Sequence, residues 1–338
     1  MPDTHLLPCT SIWGSASIIT SDPAGSRWFG AMYRPVRPDL FLDQDPDWGL
    51  YDGAGALIED GAYYRLPSRI LIGQSLHIPP ASVPLDTGHY VYGGPVIMHF
   101  GHFLTAALPR LWQAARDGLG GRRILVHSHQ APDEWFTRDY VRFILGQLGL
   151  GPANFIRFEQ PTRLRKVDVP LPAMQEQTYG HQVMRDLCRR IGAGIGRARD
   201  GRPVYLSKSR NTLGTYKILN EAVIDATMEA AGVEIVHPQE LNFVEQLSVL
   251  NGARAVLGTI GSAFHTSLFA HEPVRVVGLA YGAEINANYA IIDRLCDNRA
   301  TYVYPATGLH SVSDGAATFC YQADDPAGLA RALLDLLD

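Results

Sequence analysis

The sequence predicts an α/β protein of two domains, the C-terminal one a doubly wound sheet. Three observations lead there. The chain has 338 residues, more than one core usually fills. Hydrophobic residues make up 46% and charged residues 19%, a balance for a well-buried globular protein and not a disordered one. From about residue 123 onward, short apolar runs alternate with helical segments, the pattern of a parallel sheet.

The elements follow in order. The first hundred residues are rich in Pro, Gly and aromatics, with short runs such as Ala56-Leu57-Ile58 and Arg69-Ile70-Leu71-Ile72. They read as short strands and turns in an antiparallel, β-rich layer. Residues 101–115 have helical composition except for Pro109, which should kink or break the helix. Arg123–His127 reads as a buried strand, 134–148 as a helix and 154–158 as a strand. The proline-flanked segment 167–172 reads as the domain junction, giving domains 1–172 and 173–338. A helix is expected over 177–191.

Beyond it, strands are expected at 203–207, 233–236, 254–257, 274–279 and 302–304, and helices at 216–231, from Asn242, at 262–270 and from Asp325. Gly232 is placed to close the first of these helices. Asn242 with Glu245 three residues on forms a capping box. Asp325-Pro326 supplies an N-cap and a first-turn proline.

Composition bounds function. A net charge of −5 gives no basic field to recruit nucleic acid. Cys9, Cys188, Cys296 and Cys320 are scattered and show no zinc-type spacing. With no basic N-terminal region ahead of a long apolar core and no bilayer-length apolar run, a reducing, cytoplasmic location is expected, and peripheral membrane attachment stays open.

Four stretches carry candidate chemistry. The loop Gly258 to Ser262 ends a strand and opens a helix, a place where small residues let a phosphate approach the backbone. Its glycines also suit a purely geometric turn. Ser207-Lys208-Ser209-Arg210, with Lys217 further on, puts cations at the same carboxyl edge, able to face a diphosphate. Glu245 suits the hydroxyls of a ribose or sugar, although the capping box already accounts for it. His99-Phe100-Gly101-His102 opens a helix, where the dipole favours a neutral imidazole able to accept a proton. No third ligand accompanies this pair, so no metal site is expected. Gly192-Ala193-Gly194-Ile195-Gly196 follows a helix rather than a strand, which excludes a dinucleotide fingerprint. There is no GxxxxGK[ST] or GxSxG sequence.

The stretch YLSKSR, then K-I-L-NE, then AGVEIVHPQELNFVEQLSVLNGARAVLGTIGSAFHTSLF, closely resembles the C-terminal half of glycosyltransferase family 61. Gly101-His102-Phe103-Leu104 with Leu108-Pro109-Arg110-Leu111 resembles that family's upstream segment, and the likeness spans roughly residues 90 to 275. The resemblance implies two Rossmann-like domains facing across a cleft, the GT-B type, here with a β-rich N-terminal extension. It implies a nucleotide-sugar donor, a saccharide-type hydroxyl acceptor, and inverting transfer without cofactor or obligatory metal. Arg210, Lys217, Asn220, Glu221, Glu245, Gln246, Gly261 and Ser262 fall on its pattern. With Lys208, Thr259 and His265 added and Asn220 set aside, they make the expected donor-binding set. His99 and Arg110 are expected on the acceptor side. The family often has an acidic residue ahead of Leu-Pro-Arg-Leu, where this chain has Thr105-Ala106-Ala107, so His102 is the expected base. A non-catalytic saccharide- or nucleotide-binding protein and a nucleotide-dependent oxidoreductase are the rival readings.

Overall fold

The computed structural model describes residues 4–66, 68–197, 201–211, 216–312 and 319–337. The protein is mixed α/β and divides into two compact units. One is Gly14–Ile191, the N-unit. The other joins the chain up to Trp13 to the chain from Gly192 onward, the C-unit. The expected junction at 167–172 is instead the end of a long strand in the N-unit sheet, with Val167 and Val169 fully buried. Prolines mark the end of that strand, where a missing N–H costs the ladder little.

The N-unit sheet contains β1 (Gly25–Trp28), β2 (Ala31–Arg34), β3 (Gly49–Tyr51), β4 (Leu85–Pro95), β5 (Arg123–His127), β6 (Phe155–Ile156) and β7 (Thr162–Pro170). Its order is β6-β5-β4-β7-β2-β3, with β1 also on β7. The strands β6, β5, β4 and β7 run parallel, and β1, β2 and β3 are antiparallel additions. Tyr33, Tyr92, Leu125, Leu164 and Val167 fill the core on this sheet.

The C-unit sheet contains β8 (Val204–Leu206), β9 (Glu234–Val236), β10 (Val256–Thr259), β11 (Arg275–Leu279) and β12 (Arg299–Pro305), all parallel. Leu6–Pro8 adds an antiparallel edge strand to β12. Tyr205, Ile224, Met228, Leu257, Val277 and Leu329 pack the core between sheet and helices. The order β9-β8-β10-β11-β12 reverses direction between β8 and β10, so the crevice beyond their carboxyl ends is a topological switch point.

The β-rich start is not a layer of its own. Leu6–Pro8 joins the C-unit sheet, and β1 to β3 join the N-unit sheet. A free-standing layer of three- and four-residue strands would expose unpaired edges, and pairing with longer strands removes them. The helices at Asn242 and Asp325 start as expected. Asn242 Oδ1 accepts from Glu245 N at 3.0 Å, and Asp325 Oδ1 accepts from Gly328 N at 2.8 Å. The segment after β10 is a tight 3₁₀ helix, Ser262–Phe269. The expected 177–191 helix starts later, at Gln182, behind the short strand Tyr179–His181. The one expected at 216–231 runs over Glu221–Ala230, after the short strand Lys217–Ile218.

Candidate active site

In the N-unit, the helix expected over 101–115 is distorted around Pro109. A wide π-turn, Phe103–Ala107, is followed by a 3₁₀ turn, Leu108–Arg110, and then by Trp112–Asp117. Proline has no N–H and its ring displaces the carbonyl four residues earlier, so the helix cannot keep regular pitch. The wide turn is buried throughout and holds Thr105 at 1% exposure.

Thr105 meets Glu176, which is 3% exposed in the loop after the short strand Met174–Gln175. The neighbouring Gln177 holds a left-handed backbone, φ 58°, uncommon outside glycine and asparagine. Its conformation is fixed from two sides: its carbonyl accepts from Ser15 N at 2.9 Å, and its side chain accepts from Leu66 N at 2.7 Å.

Glu176 collects four partners. Thr105 Oγ1 lies 2.7 Å from Oε1, and His102 Nδ1 lies 3.0 Å from the same oxygen. Tyr63 donates its hydroxyl to Oε2 at 2.9 Å, and Arg65 Nε forms an ion pair with Oε2 at 3.1 Å. Burial alone would raise the carboxyl pKa. The hydrogen bond and charge of His102, the Arg65 guanidinium and Thr105 outweigh it and hold the group at about 2. Facing an ionised Glu176, Nδ1 of His102 carries a proton, which leaves Nε2 as the ring nitrogen able to exchange one with a substrate. His99 stacks at a tilt, its ring centroid 5.1 Å from that of His102. Burial, and then the neighbouring His102, lowers the His99 pKa and keeps that ring neutral.

Both histidines line a cavity of about 740 Å³ within the N-unit. Val96 and Ile97, just beyond β4, and Ser128 and His129, just beyond β5, form one side, so the cavity opens at the carboxyl edge of parallel strands. The segment 38–44 forms another wall. Asp45, fully buried, anchors it by accepting from the backbone N–H groups of Arg37 at 2.7 Å and Asp47 at 3.0 Å.

Arg110 does not reach this cavity. It is 3% exposed and donates to the carbonyls of Asp60, Pro170 and Ala62 at 2.8, 3.1 and 2.7 Å. In the structure its guanidinium braces the backbone: a planar fork is what several converging carbonyls select.

In the C-unit, Lys208 sits at the switch point. Its Nζ donates to the carbonyls of Ile260 at 2.7 Å and Tyr216 at 3.0 Å. Gly261 makes this possible, because a Cβ there would lie 2.9 Å from Nζ. Beneath, the fully buried Glu221 accepts from Tyr205 Oη at 2.8 Å and from the Lys208 backbone N–H at 3.0 Å. Burial drives the Glu221 carboxyl up and the Lys208 ammonium down, and each charge partly offsets the effect on the other. Ser262 begins the following 3₁₀ helix, whose first amides have no partner inside the helix.

The other expected donor residues, and Asn220 of the family pattern, are dispersed. Arg210 pairs with Glu240 at 3.0 Å on an exposed rim. Lys217 lies in a short strand paired with Cys320–Ala323. Asn220 braces two segments, donating to Ala323 O and accepting from Ala323 N. Glu245 accepts from the Asn242 backbone N–H at 2.8 Å, completing the capping box, and Gln246 donates to the carbonyls of Pro238 and Leu241. Thr259 and His265 are buried, His265 with its ring 5.4 Å from that of Tyr289.

Of the residues singled out in the sequence, the structure brings His99 and His102 to one cavity, and Lys208, Glu221 and Gly261 together at the switch point. Sequence reading missed Tyr63, Arg65 and Glu176. Only closure of the chain brings Glu176 to His102, 74 residues earlier, and no spacing signals it. The family model described as Glycosyltransferase 61 matches residues 100–277, from the start of the His102 helix into β11. No curated protein matches the chain.

Proposed function

Because the chain belongs to glycosyltransferase family 61, and is a glycosyltransferase by that membership, we propose that it moves a sugar from a nucleotide-sugar donor to a hydroxyl of a saccharide acceptor, with inversion. The observation that carries the mechanism is the Glu176–His102 pair at the wall of the N-unit cavity. The acceptor hydroxyl gives its proton to His102 Nε2 as its oxygen bonds to the anomeric carbon. The bond from that carbon to the diphosphate oxygen breaks, and the electron pair leaves with the diphosphate. One displacement inverts the centre. Glu176 holds the productive tautomer and stabilises the imidazolium as it forms, the part a carboxylate plays behind a catalytic histidine.

The departing diphosphate gathers charge, and preorganised donors at the C-unit switch point stabilise it. Lys208 supplies the cation, and Gly261 and Ser262 supply close backbone approach at a helix start. A divalent cation is not required by this scheme. The two-Rossmann GT-B architecture belongs to the same proposal, supported by a parallel-stranded sheet in each unit.

The test is a panel of nucleotide sugars offered with saccharide acceptors, read by release of nucleoside diphosphate and by NMR of the new linkage, with and without EDTA. One donor should turn over in the presence of EDTA, with inverted anomeric configuration, and His102→Ala should abolish transfer. Retention of configuration, or full activity in His102→Ala, would overturn the mechanism.

A further inference from the structure

A cavity of about 590 Å³ in the C-unit runs along the edge strand β9, from Glu234 to His237 just past its carboxyl end, beside the helix Glu221–Ala230. Asp225, Glu229, Glu234 and Glu240 line it, and among the described residues the one Lys or Arg on its wall is Arg210, already paired with Glu240. That charge rejects a phosphate. His237 also lines it, is 9% exposed, and its Nδ1 has no hydrogen-bond partner. The Asp225 carboxylate is half satisfied: Oδ2 accepts from the hydroxyls of Ser207 and Ser209 at 2.8 and 2.6 Å, whereas Oδ1 is buried and has no partner. Two orphaned polar atoms in one wall are rare in a folded protein and call for a ligand or ordered water. No trio of His, Cys, Asp or Glu among the described residues is grouped to hold a metal ion, which points to an extended organic ligand.

We propose that this cavity binds the uncharged, hydroxyl-bearing nucleoside portion of the donor. It rests on the nucleotide-sugar reading above. The loop Ser207-Lys208-Ser209-Arg210 joins the two places: Lys208 turns to the switch point, whereas Ser209 and Arg210 line the acidic cavity. Phosphates and nucleoside therefore lie on opposite sides of one loop. Carboxylates accept from ribose hydroxyls and base N–H groups, and His237 serves as donor or acceptor according to its tautomer. The assignment moves hydroxyl recognition from Glu245 to Asp225 and His237, and Arg210 from the diphosphate to the nucleoside rim.

The experiment is calorimetric titration of the full chain with adenosine, guanosine, cytidine and uridine, their 2′,3′-dideoxy forms, and the four nucleoside diphosphates, each with and without EDTA. One ribonucleoside should bind without phosphate, and its dideoxy form at least tenfold more weakly. His237→Phe should weaken that nucleoside at least tenfold and leave pyrophosphate affinity within twofold. Asp225→Asn risks unsettling the serine loop, so Glu240→Ala on the exposed rim is the second variant, with a smaller loss in the same direction. If a diphosphate binds but its nucleoside is indifferent to His237 and Glu240, the subsite is wrong and the donor reading stands. If no nucleoside diphosphate binds at all, the donor reading itself fails and takes the subsite with it. Binding that vanishes with EDTA would mark a cation site and overturn the proposal.

Discussion

His102 Nδ1 lies 3.0 Å from Glu176 Oε1, and the same oxygen is 2.7 Å from Thr105 Oγ1. The Thr105 hydroxyl is thus paired with a carboxylate delivered from another segment of the chain. Glu176→Gln keeps the shape and removes the charge. The imidazole then loses its tautomer preference and the imidazolium its counter-charge. The expected outcome is a kcat fall of about 10²- to 10⁴-fold with little change in acceptor KM. A loss confined to KM would show that Glu176 only shapes the cavity.

The same carboxylate makes stability depend on pH. Its folded pKa is depressed from 4.5 to about 2. A depressed carboxyl stabilises the fold above its unfolded pKa, and that contribution is lost as pH falls through the folded value. Full linkage corresponds to roughly 3 kcal/mol between pH 5 and 2. Acid unfolding of wild type and Glu176→Gln, followed by circular dichroism, should show a shallower slope for the variant in that window. Parallel curves would refute the linkage.

Much of the C-unit was legible because its strands are apolar runs bounded by local signals. The Asn242 box and the Asp325–Pro326 start needed no tertiary information. The longest N-unit strand, β4, escaped notice because Gly88, Gly93 and Gly94 interrupt its pattern. Those glycines answer to neighbours: a Cβ on Gly93 would meet Ile124 Cγ2 at 2.6 Å, and Gly94 has φ 73° against the Arg110 side chain. Such demands come from the packed sheet. Glu176 was illegible for a related reason, since each of its four partners comes from another segment of the chain.

Gly261 and Lys208 offer a separate test at the switch point. Gly261 has an extended backbone, φ −178°, so an alanine fits the chain itself. Its methyl would instead crowd Lys208 Nζ and Cε, at 2.9 and 3.0 Å. The flexible lysine can move, so Gly261→Ala should cost no more than about 1 kcal/mol of stability. Displacing the ammonium from the Ile260 carbonyl should weaken nucleoside diphosphate binding about tenfold or more. Unchanged affinity by calorimetry would remove Lys208 and Gly261 from the phosphate site.

Arg110 predicts a stability defect, not a specificity change. Its guanidinium is buried among three carbonyls, two from the turn at Asp60 and Ala62 and one from Pro170. Arg110→Ala leaves these acceptors and a cavity behind, at a cost of about 3–5 kcal/mol. Arg110→Lys should recover only part, because an ammonium lacks the planar fork. Urea titration should show both losses, with acceptor KM unchanged in whatever fraction folds. A well-folded Arg110→Ala protein with raised acceptor KM would return the residue to the acceptor side.

Glu245 separates the two readings of one motif. The structure uses its carboxylate on the Asn242 backbone N–H at 2.8 Å, while its own N–H binds Asn242 Oδ1 at 3.0 Å. A reciprocal cap of this kind contributes about 0.5–2 kcal/mol through the helix start. Glu245→Ala should lower the melting temperature by a few degrees, and Glu245→Gln should restore most of it, since an amide oxygen accepts the same bond. Neither should change donor KM. A donor KM raised tenfold in both variants at unchanged stability would instead make Glu245 a sugar-hydroxyl ligand, and would move hydroxyl recognition back from the Asp225 and His237 cavity.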